Sequence, residues 1–437
     1  MISTIDFSGA QAPFSPSRVL LEDPPKATLD DVQKAFSRTM TRRLGYVVLQ
    51  KHVFHGESKP RFYESLASQW RVRFPSASLW SVRGCAPWVH PHVTDWIPFQ
   101  DDSVSTKAKR PDVTALAALH ANDLILLSNP LYLWGSVAKE DDVEALGHLL
   151  YERGAFLVLD ESGWDTCRLS ASPTPFGSLA SACPHRTLVL ESLQTKAYVD
   201  TGVFAAVKGT HPLWSTFDLE SPRVHLPDTL VACMARVYSL TFASINCDRM
   251  YRMSTILHAL RLYAYTRLKP LTKTIGLGEG GTAIMVPFPN FKLEAAAKLD
   301  VVLVKPSDYA IRGYVPLFLT DFDGQAALQD APTPFIYRPA ALEDWVSVWA
   351  PHIKEGLDRL EMVLTTFTPQ EECTAEAIVG NAAATVGTAE ATVGTAAATV
   401  GNAAATVGTA AATAATSPRE SVTSQSSQSQ DSSGSTA

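Results

Sequence analysis

An aspartate, Asp160, and a lysine, Lys196, stand 36 residues apart, each just beyond a short apolar run. Taken alone, the aspartate reads as a turn cap and the lysine as a solvated loop side chain. Framed by strands, they bring a carboxylate and an amine to the carboxyl edge of a sheet, where open α/β folds bind ligands. Three polar groups emerge at such an edge. They are Ser128-Asn129 after Leu124-Ile125-Leu126-Leu127, Asp160-Glu161 after Ala155-Phe156-Leu157-Val158-Leu159, and Ser192 to Lys196 after Leu188-Val189-Leu190.

The elements that must position these groups can be read from the spacing of apolar residues. Between the first two strands, acidic Glu140-Asp141-Asp142 suits a helix start, Val143, Leu146 and Leu150 keep helical spacing, and Gly154 suits a C-terminal cap. A strand, helix, strand unit of this length predicts two parallel strands ending at the same edge. Phe62, Leu66 and Trp70 recur every fourth residue on a helix beginning near Pro60, and Val203-Phe204-Ala205-Ala206-Val207 reads as a further strand. Residues 230–268 are mainly helical and apolar. Ala283-Ile284-Met285-Val286 and Val301-Val302-Leu303-Val304 mark strands of a second unit, set off by Pro270 and the glycines near 276. The expected class is α/β, a mostly parallel central sheet with flanking helices plus a smaller α+β domain. The expected divisions are an N-terminal arm and helix (1–45), a large α/β domain (46–229), connecting helices (230–270), a small domain (271–372) and a disordered tail (373–437).

Composition narrows the function. The 437 residues carry a formal charge of −7 and no basic run longer than Thr41-Arg42-Arg43, so nucleic acid is not an expected partner. The first 25 residues lack a basic start followed by an apolar block, and no stretch is long enough to span a bilayer. A cytoplasmic protein with no membrane partner is expected. The 6 cysteines are scattered without a Cys-x-x-Cys pair, and His90 and His92 have no further ligand at a useful spacing, so no metal is expected. From Val379 a seven-residue repeat returns at 386, 393, 400 and 407, with one larger apolar residue and an adjacent glycine per repeat. It gives way to Ser, Gln and Thr beyond Ser417, a composition expected to be disordered.

Two other motifs compete for attention. Gly276-Leu277-Gly278-Glu279-Gly280-Gly281 satisfies G-x-G-x-x-G, yet a strand follows it where the dinucleotide fingerprint needs a helix. Leu317 to Gly324 resembles the strand-end Asp-x-Asp-Gly of haloacid dehalogenase-type phosphatases. Gln325 replaces the expected Thr, and the 48 residues from 325 to 372 are too few for such a domain, so a turn after a strand is expected.

The order Asn129-Pro130-Leu131-Tyr132-Leu133-Trp134-Gly135, Leu159-Asp160-Glu161, Ser192-Leu193-Gln194-Thr195-Lys196-Ala197-Tyr198 with Gly202, and Gly280-Gly281-Thr282 through Pro287 resembles the class I/II aminotransferases, over roughly residues 46 to 345. That family has the fold type I architecture and uses pyridoxal 5'-phosphate. The resemblance implies a divergent enzyme acting on an amino acid or related amine. It further implies a homodimer, because the family builds its active site at the subunit interface.

By the same resemblance, Lys196 matches the lysine whose amine forms an imine with the cofactor, and Asp160 matches the carboxylate that keeps the pyridine nitrogen protonated. Tyr132 stands where the second Asn of Asn-Pro-x-Asn-Pro-Thr-Gly contacts the phenolic oxygen. Trp88 falls where an aromatic stacks on the ring, and Gly56, Ser192 and Thr195 fall near the phosphate. Asn129 and Arg312 are the candidate substrate contacts. Departures are also visible. Gly163 replaces a tyrosine three residues after the aspartate, and Phe204 replaces the phosphate-clamping Arg eight residues after the lysine. Lys59 and Lys208 are conceivable substitutes for that Arg. A non-catalytic protein that retains the fold for binding or scaffolding is the alternative.

Overall fold

The computed structural model describes residues 4–8, 14, 26–100, 109–163, 166–167, 183–192, 203–219, 227–239, 247–272, 275–288, 292–329 and 339–366. The repeats and the Ser/Gln-rich tail lie outside the described residues. The strands are β1 (Ile5–Asp6), β2 (Val53–Gly56), β3 (Leu79–Val82), β4 (Asp95–Ile97), β5 (Leu124–Ser128), β6 (Phe156–Asp160), β7 (Thr187–Ser192), β8 (Phe204–Val207), β9 (Ala283–Pro287), β10 (Val301–Val302) and β11 (Tyr314–Phe318). The helices are α1 (Leu29–Leu44), α2 (Lys59–Arg73), α3 (Glu140–Arg153), α4 (Asp228–Val237), α5 (Cys247–Thr272), α6 (Lys292–Lys298), α7 (Gly324–Ala327), α8 (Pro339–Trp349) and α9 (Pro351–Thr366).

Continuous rather than alternating apolar runs fit strands buried on both faces, the condition for the middle of a parallel sheet. The central sheet has the order β2-β8-β7-β6-β5-β3-β4. β4, β3, β5, β6 and β7 are parallel, as the crossover through α3 requires, while β8 runs antiparallel to β7 and β2 antiparallel to β8. β2 therefore points the same way as β7, and its last residue, Gly56, arrives at the carboxyl edge.

Successive strand residues face opposite sides, and separate helices cover the two sets. Leu124, Leu126, Phe156, Val158, Leu188 and Leu190 share a core with Phe62, Tyr63, Leu66 and Trp70 of α2. Ile125, Leu127, Leu157 and Leu159 pack with Val143, Leu146 and Leu150 of α3. Val189, Ala205 and Val207 pack with α1 and α4. α1 opens with a capping box between Thr28 and Asp31, and Val32, Phe36, Met40 and Leu44 line its buried face. α3 ends at Gly154 with φ 71°, the left-handed cap that its sequence suggests.

The remaining elements build a second core. β9 pairs antiparallel with β11, and β1 pairs in parallel with β10, so the N-terminal segment returns to the chain near residue 301. α5, α8 and α9 enclose these strands. The apolar stretch from 230 forms two helices, α4 and α5, and Pro270 lies inside the end of α5 rather than ahead of a boundary. Burial of Leu260, Tyr263, Ala264 and Leu268 holds that helix through the local break. Asp323 caps the one-turn α7 by accepting from the amides of Gln325 and Ala326, both at 3.0 Å, so its carboxylate does turn work.

Candidate active site

Strand register brings the sequence-selected groups to one edge. Ser128 pairs with Asp160, Asp160 with Leu190, Ser192 with Phe204, and Phe204 with Gly56. Asn129, Asp160, Ser192 and Gly56 thus emerge together from four strands. The Asn129 amide donates to the Asp160 carbonyl at 2.8 Å, and the Asn129-Pro130 peptide is cis.

Asp160 is 7 % exposed, and its carboxylate is held by Lys59, whose Nζ lies 2.9 Å from Oδ2 and 3.2 Å from Oδ1. The same ammonium donates to Ser162 Oγ at 2.6 Å, and the Ser162 amide donates to Asp160 Oδ1 at 3.0 Å. Lys59 is the first residue of α2, where a positive charge opposes the helix dipole. That misplaced charge is the sequence signal that its partner lies elsewhere in the fold. Its pairing with Asp160, 101 residues away, is beyond any local pattern.

Aromatic side chains wall the cleft. Trp88 lies edge-to-face with Tyr132 at 5.6 Å, and Tyr132 stacks toward Tyr309 at 6.3 Å. The Lys59 ammonium is 5.9 Å from the Trp88 ring centre. Burial, with Tyr309 and Asp160 adding to it, pushes the Tyr132 hydroxyl well above the usual phenol range, so it remains a neutral donor. Burial does the same to Tyr63, assisted by Asp160 and Cys85, and raises the Cys85 thiol to about 12. Among the described residues, two side chains of this cleft carry polar atoms without a partner. Asn129 is 0 % exposed, yet neither its side-chain Nδ2 nor its Oδ1 is hydrogen-bonded among the described residues, and the buried Trp88 Nε1 has no acceptor there.

The segment carrying Asn129 and Tyr132 is held by close backbone contact with the glycine-rich run. The Gly280 amide donates to the Gly135 carbonyl at 2.8 Å, and the Gly281 amide donates to Thr166 Oγ1 at 2.7 Å. A Cβ on Gly280 would stand 2.5 Å from Cys167 Sγ and 2.7 Å from Pro130 Cγ. The buried Arg261 guanidinium, lowered to about 10 by burial, donates to the carbonyls of Glu279 and Gly281. These glycines permit backbone approach, and β9 follows them.

Gly56 faces the Phe204 ring, with 2.5 Å between that ring and the place of a Cβ. Phe204 is 1 % exposed and packs on Phe62 at 5.2 Å and Phe54 at 6.2 Å. Arg312 is exposed on the turn before β11 and makes no hydrogen bond or ion pair among the described residues. Lys196 and Thr195 lie outside the described residues. Behind the edge, buried Glu161 and Glu191 both pair with Arg43 of α1. Among the described residues no group of three or more His, Cys, Asp or Glu is arranged to hold a metal, and no helix is long and apolar enough to cross a membrane.

No family model and no curated protein matches the sequence. Solved structures do match in fold. The chain is similar to an aspartate aminotransferase from Thermotoga maritima, with a TM-score of 0.61 and 13 % identity over 83 % of this chain and 92 % of that one. It is similar to a PLP-bound C-S lyase from Staphylococcus hominis, with a TM-score of 0.60 and 14 % identity over 83 % and 89 % of the two chains. The aromatic aminotransferase of Pyrococcus horikoshii gives a TM-score of 0.60 and 13 % identity over 83 % and 96 %. At these identities the similarity is one of fold, and it bears out the expected α/β architecture.

Proposed function

We propose that the chain is a divergent pyridoxal 5'-phosphate-dependent enzyme of the aminotransferase fold, acting on an amino acid or related amine. The observation that carries this reading is the Asn129 side-chain amide, fully buried at the carboxyl edge beside Asp160 and without a partner among the described residues. A buried polar side chain without a partner is costly, and a ligand that meets it repays that cost. The donor set suits the cofactor. Asp160 would hold its ring nitrogen, the Tyr132 hydroxyl its ring oxygen, and Trp88 its ring face. Gly56, Ser192 and Thr195 would lie at its phosphate, and Lys196 would hold it covalently. When bound, the group supplies a ring that withdraws electrons from the substrate carbon.

The chain's own residues do the rest. Asp160 keeps a positive charge at the ring nitrogen, Tyr132 donates as a neutral phenol, and Trp88, Tyr132 and Tyr309 keep water from the cleft. Arg312 and Asn129 are proposed to meet the substrate carboxylate. On this reading residues 46–229 form the large domain and 271–372 the small one, and the protein is a homodimer. One observation favours a binding protein without catalysis: Asp160 is already paired with Lys59. Titration of the full chain with pyridoxal 5'-phosphate separates the two readings. The enzyme reading expects a visible absorbance band that is much weaker in Asp160→Asn, and no band at millimolar cofactor would exclude it.

A further inference from the structure

We propose that Lys59 is the cation with which this cleft recognises a phosphate, in place of the family's arginine, and that it sets a preference for pyridoxal 5'-phosphate over pyridoxal. This rests on the cofactor reading above. The position usually given to the phosphate arginine holds Phe204, whose ring is sealed among Phe54 and Phe62 and carries no charge. Lys59 is the cation bonded to Asp160, and its side chain is 11 % exposed. It begins α2, whose N-cap, Ser58, makes no side-chain hydrogen bond, so the two first-turn amides beside Pro60, those of Lys59 and Arg61, are not taken up by the usual cap.

The charges within the cleft decide the matter. Lys59 and Asp160 neutralise each other, and one buried carboxylate does not fully satisfy two cations. A ligand whose protonated ring nitrogen engages Asp160 competes with Lys59 for it, and the released ammonium stays at the start of a helix, where a positive charge is unfavourable. A phosphate on the same ligand resolves this by accepting a charge-assisted bond from Nζ, with the Lys59 and Arg61 amides as further donors and Pro60 offering none. Pyridoxal, with the same ring and no phosphate, leaves the ammonium unpaired. Lys59 is therefore a specificity residue that exchanges one anion for another.

The test is titration of the full chain with pyridoxal 5'-phosphate and, separately, with pyridoxal, followed by quenching of tryptophan fluorescence. Wild type, Lys59→Met and Lys59→Arg are compared. Wild type should prefer the phosphorylated form by about tenfold or more, the scale of one charge-assisted bond. Lys59→Met should lose most of that preference, with pyridoxal bound as well as in wild type or better, and Lys59→Arg should keep it. An equal loss for both ligands in Lys59→Met would reduce Lys59 to a structural partner of Asp160, and an unchanged preference would place the phosphate on another group. Either result overturns the proposal. If Lys59→Met does not fold, inorganic phosphate competing with pyridoxal 5'-phosphate on wild type but not on Lys59→Gln gives the same decision. Failure of wild type to bind either form would instead remove the cofactor reading itself.

Discussion

Replacing Gly135 by alanine tests how the segment bearing Asn129 and Tyr132 is held. Gly135 has φ 63°, a left-handed conformation that costs an L-residue about 1–2 kcal/mol. An added Cβ would also lie well inside contact distance of the Gly280 carbonyl oxygen, which is backbone and cannot rotate away. The two strands of backbone must part, lengthening the 2.8 Å bond from the Gly280 amide to the Gly135 carbonyl, a loss of about 1 kcal/mol. With the contact itself, the change should cost roughly 3–4 kcal/mol. Gly45 is the internal control. It has a similar φ of 73° and nothing within 4 Å of its Cβ, so Gly45→Ala should cost only the conformational part, about 1 kcal/mol. The assay is equilibrium unfolding in guanidinium chloride of the full chain and both variants, with affinity for pyridoxal 5'-phosphate measured on each. Gly135→Ala should be destabilised by about 2 kcal/mol or more beyond Gly45→Ala and should alone lose affinity. Equal stabilities would refute the view that close backbone packing fixes this loop.

Two further outcomes follow from buried contacts. The Cys85 thiol is raised from 9.0 to about 12 by burial, so the fold keeps it protonated. Stability from this group is whole below pH 9 and is lost as pH rises from 9 toward 12, by at most about 1.4 kcal/mol per pH unit. Between pH 8 and pH 10, the unfolding free energy of wild type should fall by about 1.4 kcal/mol more than that of Cys85→Ala, and parallel curves would contradict the burial of the thiol. Gly56→Ala drives a methyl group into the Phe204 ring and should cost about 1–3 kcal/mol, much of it recovered in the Phe204→Leu background. A double-mutant cycle with no coupling would show that the ring moves aside freely.

Legibility in the sequence followed the reach of the interactions involved. β5 to β8 were readable because strands buried on both faces are apolar throughout, and α3 because its acidic start, spacing and Gly154 agree. The crossover rule then fixed the edge carrying Asn129 and Asp160. β2 and β4 left no such trace. Val53–Gly56 contains His55, and Asp95–Ile97 has three residues, so their strand character comes from neighbours rather than local pattern. β1 pairs with β10 although Ile5 and Val301 are 296 residues apart, a closure that no window of sequence contains. The same limit hid the partner of Asp160. The sequence offers Lys59 only as one conceivable substitute for the missing phosphate Arg, and its bond to a carboxylate 101 residues away is a property of the folded sheet edge.

The most direct test of the central claim is chemical trapping. The full chain is incubated with pyridoxal 5'-phosphate, reduced with sodium borohydride, digested, and the modified lysine located by mass spectrometry. The proposed reading gives Lys196 the covalent role and Lys59 the ionic one. On that reading Lys196 should be modified, saturating with the absorbance band, while Lys59 stays unmodified. Modification at Lys59 in place of Lys196, or scattered labelling of surface lysines without saturation, would contradict it.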